Sequence, residues 1–215
     1  MPFGAAHRPR PETRRQEEAF AVLDAVLDRG FPEGGVAQVF GGPSSGKTTL
    51  AHRIVSSFVR RGECAAWVDL PDAFDPDGAR DAGVDLDRVL WVAPRDPVMA
   101  VRAVELVLGA GGFRVVVLDL GGSLAGRLRL PAAAWLRVSR AATVRRATLV
   151  VLAATCVAGT FATLVLEASV SRPVFSPPEA SRSFFEGTVS ALRVRKCRGG
   201  PPVDRPLRFF ASPTR

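Results

Sequence analysis

Tyrosine is absent from this chain, and aromatic residues of every kind make up only 7% of it. A protein that binds single-stranded nucleic acid by stacking the bases needs several aromatic rings close to basic residues. This sequence has few aromatic residues in such positions. The main candidates are Trp135, Phe184, Phe185, Phe209 and Phe210. Packing in a core or an interface is the preferred interpretation of these rings, so the sequence gives no support to sequence-independent binding of single strands.

Cysteine is also scarce. Cys64, Cys156 and Cys197 are odd in number and lack the paired spacing of a zinc site or a disulfide framework, which favours a reducing, cytoplasmic compartment. The stretch 1–15 contains arginines and prolines but not the apolar segment of a secretion signal. We therefore expect neither secretion nor a disulfide scaffold.

The size and the charge of the chain predict one core with a basic second half. With 215 residues, 47% of them hydrophobic, we expect an N-terminal arm and helix over 1–30 and a single core domain over 31–215. Residues 1–110 hold 13 basic and 16 acidic side chains, a net charge of −3. Residues 111–215 hold 16 basic and 5 acidic side chains, a net charge of +11. The basic half suits an acidic partner, either nucleic acid or protein, and a solvated arginine surface is the alternative.

One stretch has the length of a membrane span. Residues 147–166 run for twenty positions without a charge. Their threonines, their β-branched valines and the central Gly159 instead favour two short buried strands joined by a tight turn. We expect these strands to be paired, and we expect no membrane association.

The most specific motif lies at residues 41–48, which fit the pattern G-x-x-x-x-G-K-[ST] between an apolar strand-like stretch and a helical one. Glycines let successive backbone N–H groups turn toward one anion, and the helix that follows adds the positive end of its dipole. The predicted nucleotide-binding residues are Gly41, Gly42, Pro43, Ser44, Ser45, Gly46, Lys47, Thr48 and Thr49. Lys47 would reach the β- and γ-phosphates of ATP and the Thr48 hydroxyl would ligate Mg²⁺. A simple Gly/Ser turn is the alternative.

The scarcity of lysine supports this site. The chain has 29 basic Lys and Arg residues, of which Lys47 and Lys196 are the two lysines. A composition that otherwise uses arginine has kept lysine where a compact point charge suits a phosphate.

A second half of the site is predicted at residues 114–120, an uninterrupted apolar run that contains a carboxylate near its end. Such a run is typical of a strand buried on both faces of a parallel sheet. Asp119 would then join Thr48 as a metal-binding residue beside the phosphate loop, and a capping role for Asp119 is the alternative. The alternation of strands and helices predicts an α/β fold with its ligand at the carboxyl ends of the strands.

The remaining elements follow from periodicity and from turn residues. Strands are predicted at 36–40, 64–70, 89–92 and 188–194, the last at a sheet edge, and helices at 11–29, 48–60 and 97–108 with another opening at Pro131. A Ser/Pro-containing connection is predicted over 169–186, and a last strand or anchoring tail over 201–215.

Several further segments follow the phosphate loop at defined spacings: Asp75-Pro76, Ala79-Arg80 and residues 83–87. Together with residues 42–50 they agree in order and spacing with the RecA-like ATPase-core family, which the sequence resembles. The resemblance implies a RecA-like core with a central, mostly parallel sheet flanked by helices, followed by antiparallel strands. It also implies that Lys196 and Arg198 occupy the positions of the paired lysines that reach a neighbouring subunit's ATP, with Arg195 as a further partner contact. A solvated basic strand end is the alternative.

The departures from the family restrict the expected activity. The resemblance places Pro71 where the family has the glutamate that orients the attacking water, and proline cannot act as a base. It places Gly78 where the family stacks a tyrosine on adenine, so the resemblance gives no support to a specificity for adenine. The stretches that correspond to the two DNA-holding loops look shortened, to 121–131 and to a turn near 156–159.

Short RecA-like chains with an arginine-rich second half are similar to the ImuA family, accessory proteins of damage-induced mutagenesis. This resemblance implies RecA and a Y-family-like polymerase subunit (ImuB-like) as partners, in DNA repair by translesion synthesis during the SOS response, with weak or no ATPase activity. The alternative is an active DNA-stimulated ATPase, a recombination mediator that uses Asp72 or Asp69 as its base. DNA binding through the basic half alone is a third hypothesis.

Overall fold

The structure is a computed structural model that describes residues 33–122, 130–175, 185–198 and 207–211. Within these residues the chain forms one eight-stranded sheet with the strand order β3-β2-β4-β5-β1-β6-β7-β8. The predicted arm and helix over 1–30 lie outside the described residues.

The strands and helices alternate through most of the chain. The strands are β1 Gly35–Phe40, β2 Cys64–Asp69, β3 Val89–Val92, β4 Phe113–Asp119, β5 Thr148–Ala153, β6 Leu164–Phe175, β7 Phe185–Cys197 and β8 Leu207–Ala211. The helices are α1 Lys47–Val59, α2 Pro76–Asp81, α3 Pro97–Ala110 and α4 Ala132–Arg145, with short 3₁₀ helices at Leu86–Arg88 and Gly159–Phe161.

The sheet is mostly parallel. Strands β1 to β6 pair in parallel, whereas β6, β7 and β8 pair in antiparallel fashion. This confirms the predicted α/β class, the mostly parallel sheet and the antiparallel C-terminal strands. The carboxyl ends of the parallel strands meet at one edge of the sheet, which is where a ligand site is expected.

Local capping explains where two of the helices begin. The Asp75 carboxylate accepts hydrogen bonds from the first N–H groups of α2, and the Asp96 carboxylate accepts one from Met99 N in α3. In both helices a proline follows the cap, where its missing N–H costs no hydrogen bond. Short-range chemistry therefore sets these two boundaries.

The core lies on both faces of the sheet. Helix α1 covers one face and α3 and α4 cover the other, so the central strands are buried on both sides. Residues Val115 to Leu118 of β4 are at most 2% exposed, which agrees with the uninterrupted apolar run from which this strand was predicted.

Three predictions about the second half of the chain are wrong. The strands within 147–166 do not pair with each other, because β1 lies between β5 and β6 and pairs with both. The connection predicted over 169–186 begins as strand, since β6 continues to Phe175. Strand β7 does not form the sheet edge, because β8 pairs along it. Each error concerns which segment lies beside a strand in the sheet.

No helix within the described part of the chain is both long and apolar enough to cross a bilayer. The stretch 147–166, which has the length of a span, is divided between β5, a 3₁₀ helix and the start of β6.

Candidate functional site

The predicted phosphate loop, residues 41–46, connects the carboxyl end of β1 to the first turn of α1. Ser44 and Gly46 have left-handed backbone conformations, with φ of 56° and 82°. This geometry turns the chain sharply into the helix and is costly for most side chains, so glycine suits position 46. Within the predicted set, Ser45 is buried, Lys47 and Thr49 are half-buried, and Gly42, Pro43, Ser44 and Thr48 are exposed.

Gly41 is fixed by a close approach of two strands. A Cβ atom added to Gly41 would lie 2.1 Å from the carbonyl oxygen of Ala168 in β6. Its own N–H donates to the carbonyl of Ala153, at the end of β5, over 3.2 Å. The loop therefore begins where three neighbouring strands meet. At Gly42 an added Cβ would meet nothing within 4 Å, so the space beside this residue is open.

The Lys47 ammonium lies folded onto the loop. Its Nζ donates to the carbonyl oxygens of Gly41 and Gly42, at 2.8 and 2.7 Å, and contacts Ser45 Oγ at 3.3 Å. Burial lowers the pKa of Lys47, and the nearby Asp119 carboxylate opposes that shift. A partly desolvated cation held by two carbonyls attracts an anion that can replace them.

Asp119 lies at the end of β4, beside Asp69 of β2 in the sheet register. Its Oδ1 accepts a hydrogen bond from Gly121 N over 2.8 Å. Burial raises the pKa of Asp119; the Gly121 hydrogen bond lowers it, Asp69 raises it further, and Lys47 lowers it. The lysine and the carboxylate predicted for one site thus share one electrostatic environment.

The donor atoms suit a hard cation such as Mg²⁺. Thr48 lies at the exposed start of α1 and offers a hydroxyl, and Asp119 offers a carboxylate. Both groups bind a metal ion through oxygen. Among the described residues, no group of three or more His, Cys, Asp and Glu side chains could hold a metal ion.

The segment after β2 carries Pro71 at the position that the resemblance assigns to the water-orienting base. Pro71 lies against the chain just after Asp119, since a Cβ at Gly121 would be 3.3 Å from the Pro71 Cβ. Asp72 is exposed and has a left-handed φ of 52°. Asp69 is completely buried, and its Oδ2 accepts from Phe74 N at 2.7 Å and from Trp91 Nε1 at 3.3 Å. One Asp69 oxygen is therefore already committed to holding the turn that follows β2.

An aromatic cluster that the sequence did not reveal lies beneath this turn. His52 of α1 is 5.0 Å from the Trp67 ring and 5.8 Å from the Phe74 ring, and Phe74 is 5.9 Å from Trp91. Burial lowers the pKa of His52 to about 4, against an opposing contribution from Asp75.

Gly78, aligned by the resemblance with the adenine-stacking tyrosine, lies in α2, where its N–H donates to Asp75 Oδ1.

The three basic residues predicted as partner contacts lie at the end of β7, and two of them have contacts within the chain. Arg195 forms an ion pair with Glu167. Lys196 Nζ donates to the carbonyls of Gly159 and Thr160 at 3.4 and 3.2 Å. The Arg198 side chain is exposed, and its backbone N–H donates to Thr163 O. Their role toward a partner stays a prediction.

Gln38 is a further polar residue that the sequence reasoning missed. It is completely buried in the middle of β1, and its side chain forms hydrogen bonds with the backbone of Thr155, Val157 and Ala158. A lone uncharged polar residue in an apolar strand was the available signal.

Comparison with known proteins agrees with this arrangement. A family described as the RecA N-terminal domain matches residues 15–133. The RecA protein of Prochlorococcus marinus strain MIT 9211 is 36% identical over 130 residues, 60% of this chain and 35% of that relative. The RecA of Synechococcus sp. strain WH7803 is 36% identical over 130 residues, 60% of this chain and 34% of that protein. The RecA of Paenarthrobacter aurescens strain TC1 is 33% identical over 132 residues, 59% of this chain and 38% of that protein. The chain thus spans little more than a third of the length of these relatives.

Proposed function

This chain belongs to the RecA N-terminal domain family, and we propose that it is an accessory protein of DNA repair, most like ImuA. In this proposal the protein binds ATP with Mg²⁺ and hydrolyses it slowly or not at all. It docks on RecA, on a Y-family-like polymerase subunit, or on both, during translesion synthesis.

One combination carries the proposal: a complete phosphate loop beside a site without a base at the expected position. Lys47, Thr48 and Asp119 offer the cation, the hydroxyl and the carboxylate that a triphosphate with Mg²⁺ requires. Thr48 and Asp119 would hold the metal ion, which would supply positive charge that neutralises the phosphates. Pro71, beside Gly121, has no group that accepts a proton from water. A general base contributes about 10²- to 10⁴-fold to a rate, so its loss favours binding over turnover.

A nucleotide titration combined with a turnover assay on the same sample tests this proposal. We expect saturable binding of ATP and of ATPγS in the presence of Mg²⁺, with phosphate release close to the buffer rate, with or without single-stranded DNA. Release that single-stranded DNA stimulates would instead support the DNA-stimulated ATPase, with the exposed Asp72 as its base. Failure to bind any nucleotide would refute the nucleotide part of the proposal.

The partner is proposed to contact the basic end of β7. Arg193 and Arg198 are both exposed there, within the half of the chain that carries +11. An exposed charged rim contributes chiefly to association rate and specificity. We expect purified RecA to bind the intact protein, and the charge reversals Arg193→Glu and Arg198→Glu together to weaken that binding about tenfold or more.

A matched control for this experiment is the pair Arg60→Glu and Arg95→Glu, which reverses two exposed arginines of the acidic half. We expect this control to bind as the wild type does. Equal loss in both double variants would show that net charge alone drives binding, and no binding of RecA or of the polymerase subunit by the wild type would refute the proposed partners.

A further inference from the structure

The two carboxylate oxygens of Asp69 have different surroundings. Oδ2 accepts hydrogen bonds from Phe74 N at 2.7 Å and from Trp91 Nε1 at 3.3 Å. Oδ1 has no hydrogen-bond partner within the part of the chain that the structure describes, although Asp69 is completely buried. A buried carboxylate oxygen without a donor is costly, so native proteins usually supply it with an ordered water or an ion. Oδ1 of Asp69 therefore indicates a place for such a group.

Asp69 lies on the same face of the sheet as Asp119. The two residues end β2 and β4 and are directly opposite each other in the register. Trp67 and Val117, two residues earlier on each strand, both belong to the core cluster that α1 covers. Because side chains alternate along a strand, the two carboxylates point to that face as well. Both are thus at the carboxyl ends of parallel strands, on the side where the phosphate loop leads into α1.

The electrostatics agree with this placement. Burial raises the pKa of Asp119, the hydrogen bond from Gly121 N lowers it, and the charge of Asp69 then raises it further. One carboxylate acts on another in this way only at short range. Two neighbouring carboxylates repel each other, and a divalent cation beside them removes that repulsion. The pair therefore suits a cation better than either residue alone.

A buried acceptor helps to hold Mg²⁺ without a direct bond to it. Mg²⁺ loses its waters reluctantly and usually keeps several of them when a protein binds it. These waters donate hydrogen bonds, and the groups that accept them orient the ion and its ligands. Oδ1 of Asp69 has its lone pairs free and belongs to the neighbour of Asp119, so it has the chemistry and the position of such an acceptor.

From these contacts we infer that Asp69 is a positioning residue for the metal ion of the nucleotide site. Its Oδ1 accepts a hydrogen bond from a water bound to the ion, while its Oδ2 holds the turn that follows β2. Thr48 and Asp119 keep their proposed roles as the residues that bind the ion. The inference rests on the proposed binding of ATP with Mg²⁺, and it adds a third residue to the metal half of that site.

Titration calorimetry of the full chain with ATPγS, once with saturating Mg²⁺ and once in EDTA, tests this role. In the wild type we expect Mg²⁺ to tighten ATPγS binding about 30-fold or more, within the usual range for two coupled ligands. Asp69→Asn keeps an oxygen for Phe74 N and Trp91 Nε1 and puts an NH₂ donor in place of Oδ1. It should raise the dissociation constant with Mg²⁺ about tenfold or more, the loss typical of an outer-shell partner of a metal. The dissociation constant in EDTA should not rise, because that measurement involves no metal ion.

The matched control is Asp96→Asn, which also removes one carboxylate charge. Asp96 is exposed and caps α3, where asparagine caps equally well. This variant should keep both wild-type dissociation constants. Trp91→Phe is the second variant if Asp69→Asn fails to fold, since Trp91 is 49% exposed. It removes one donor from Asp69 Oδ2 and leaves more charge on the carboxylate, so it should tighten ATPγS binding about twofold or more with Mg²⁺ and not in EDTA.

The outcomes separate this role from the proposed function. A wild type that binds ATPγS in neither condition refutes the proposed nucleotide binding and the role of Asp69 with it. If the wild type binds ATPγS, an unchanged dissociation constant of Asp69→Asn with Mg²⁺ overturns the role alone and shows that Oδ1 holds a water independently of the metal ion. An equal rise with Mg²⁺ and in EDTA overturns it too, because a structural defect of the site affects both measurements. Unchanged binding in Trp91→Phe counts against the role in the same way.

Discussion

Replacing Gly41 by alanine should separate the close packing of the phosphate loop from its sequence motif. The new Cβ would lie 2.1 Å from Ala168 O, a backbone atom that cannot rotate away. An ordinary carbon–oxygen contact is longer by about 1 Å, so either the loop or β6 must move by that amount. Overpacking of this kind costs about 1–3 kcal/mol, and we expect the upper half of that range because both partners are backbone.

Urea denaturation measures this cost. For a destabilisation of about 2–3 kcal/mol and a urea dependence of about 2–3 kcal/mol per M, the midpoint should fall by about 1 M. ATP affinity should fall as well, because a misplacement of about 1 Å in a positioned site can cost about 10²-fold. Gly42→Ala is the matched control, since its Cβ would meet nothing within 4 Å. Our account of the packing would be refuted by a Gly41→Ala variant whose midpoint and ATP affinity equal those of Gly42→Ala.

Three further predictions concern the site and its surroundings. Lys47→Ala should weaken ATP binding about 10- to 100-fold, because it removes a hydrogen bond to a charged group. Titration calorimetry measures this change, and an unchanged affinity would contradict the role of Lys47. Pro71→Glu should raise the rate of phosphate release about tenfold or more, because it supplies a carboxylate base, and Pro71→Gln should not. Equal rates in the two variants would show that the missing base does not limit the hydrolysis rate. The pKa of His52 is lowered from 6.5 in the unfolded chain to about 4 in the fold, so its contribution to stability is present above pH 6.5 and is lost as pH falls toward 4. Between pH 7 and pH 5 the free energy of unfolding should fall by about 2 kcal/mol from this cause. His52→Leu should remove this part of the pH dependence, as urea denaturation at several pH values can show. If the free energy of unfolding depends on pH equally in both proteins, His52 is not a neutral buried imidazole.

Local patterns were sufficient for most elements that the structure describes between residues 33 and 153. The strands β1 and β4 and the helices α1 and α3 agree with their predicted positions to within two residues. Their signals are short-range, since an apolar run, a helical periodicity and a glycine-rich turn each act over a few residues. The phosphate loop belongs to this class, because its motif and its strand–loop–helix setting are continuous in sequence.

Pairing between distant segments was not available from the sequence. The strands β5 and β6 looked like neighbours because they are close in the chain, but β1 lies between them. The periodicity of a strand shows which faces are buried and not which strand lies beside it. The partners of Gln38 are 117 to 120 residues away, and the proximity of Asp69 to Asp119 depends on the β2–β4 register.

The amino-acid sequence by itself determined the phosphate loop, the alternation of buried strands with helices and the resemblance to the RecA-like core, because these features are written in contiguous residues. Tertiary structure alone decided that Gly41 must lack a side chain against Ala168, that Gln38 holds residues 155–158, and that Lys47 and Asp119 share one environment. Those facts depend on strand order and register, which result from packing the whole sheet between its helices and which no local pattern encodes.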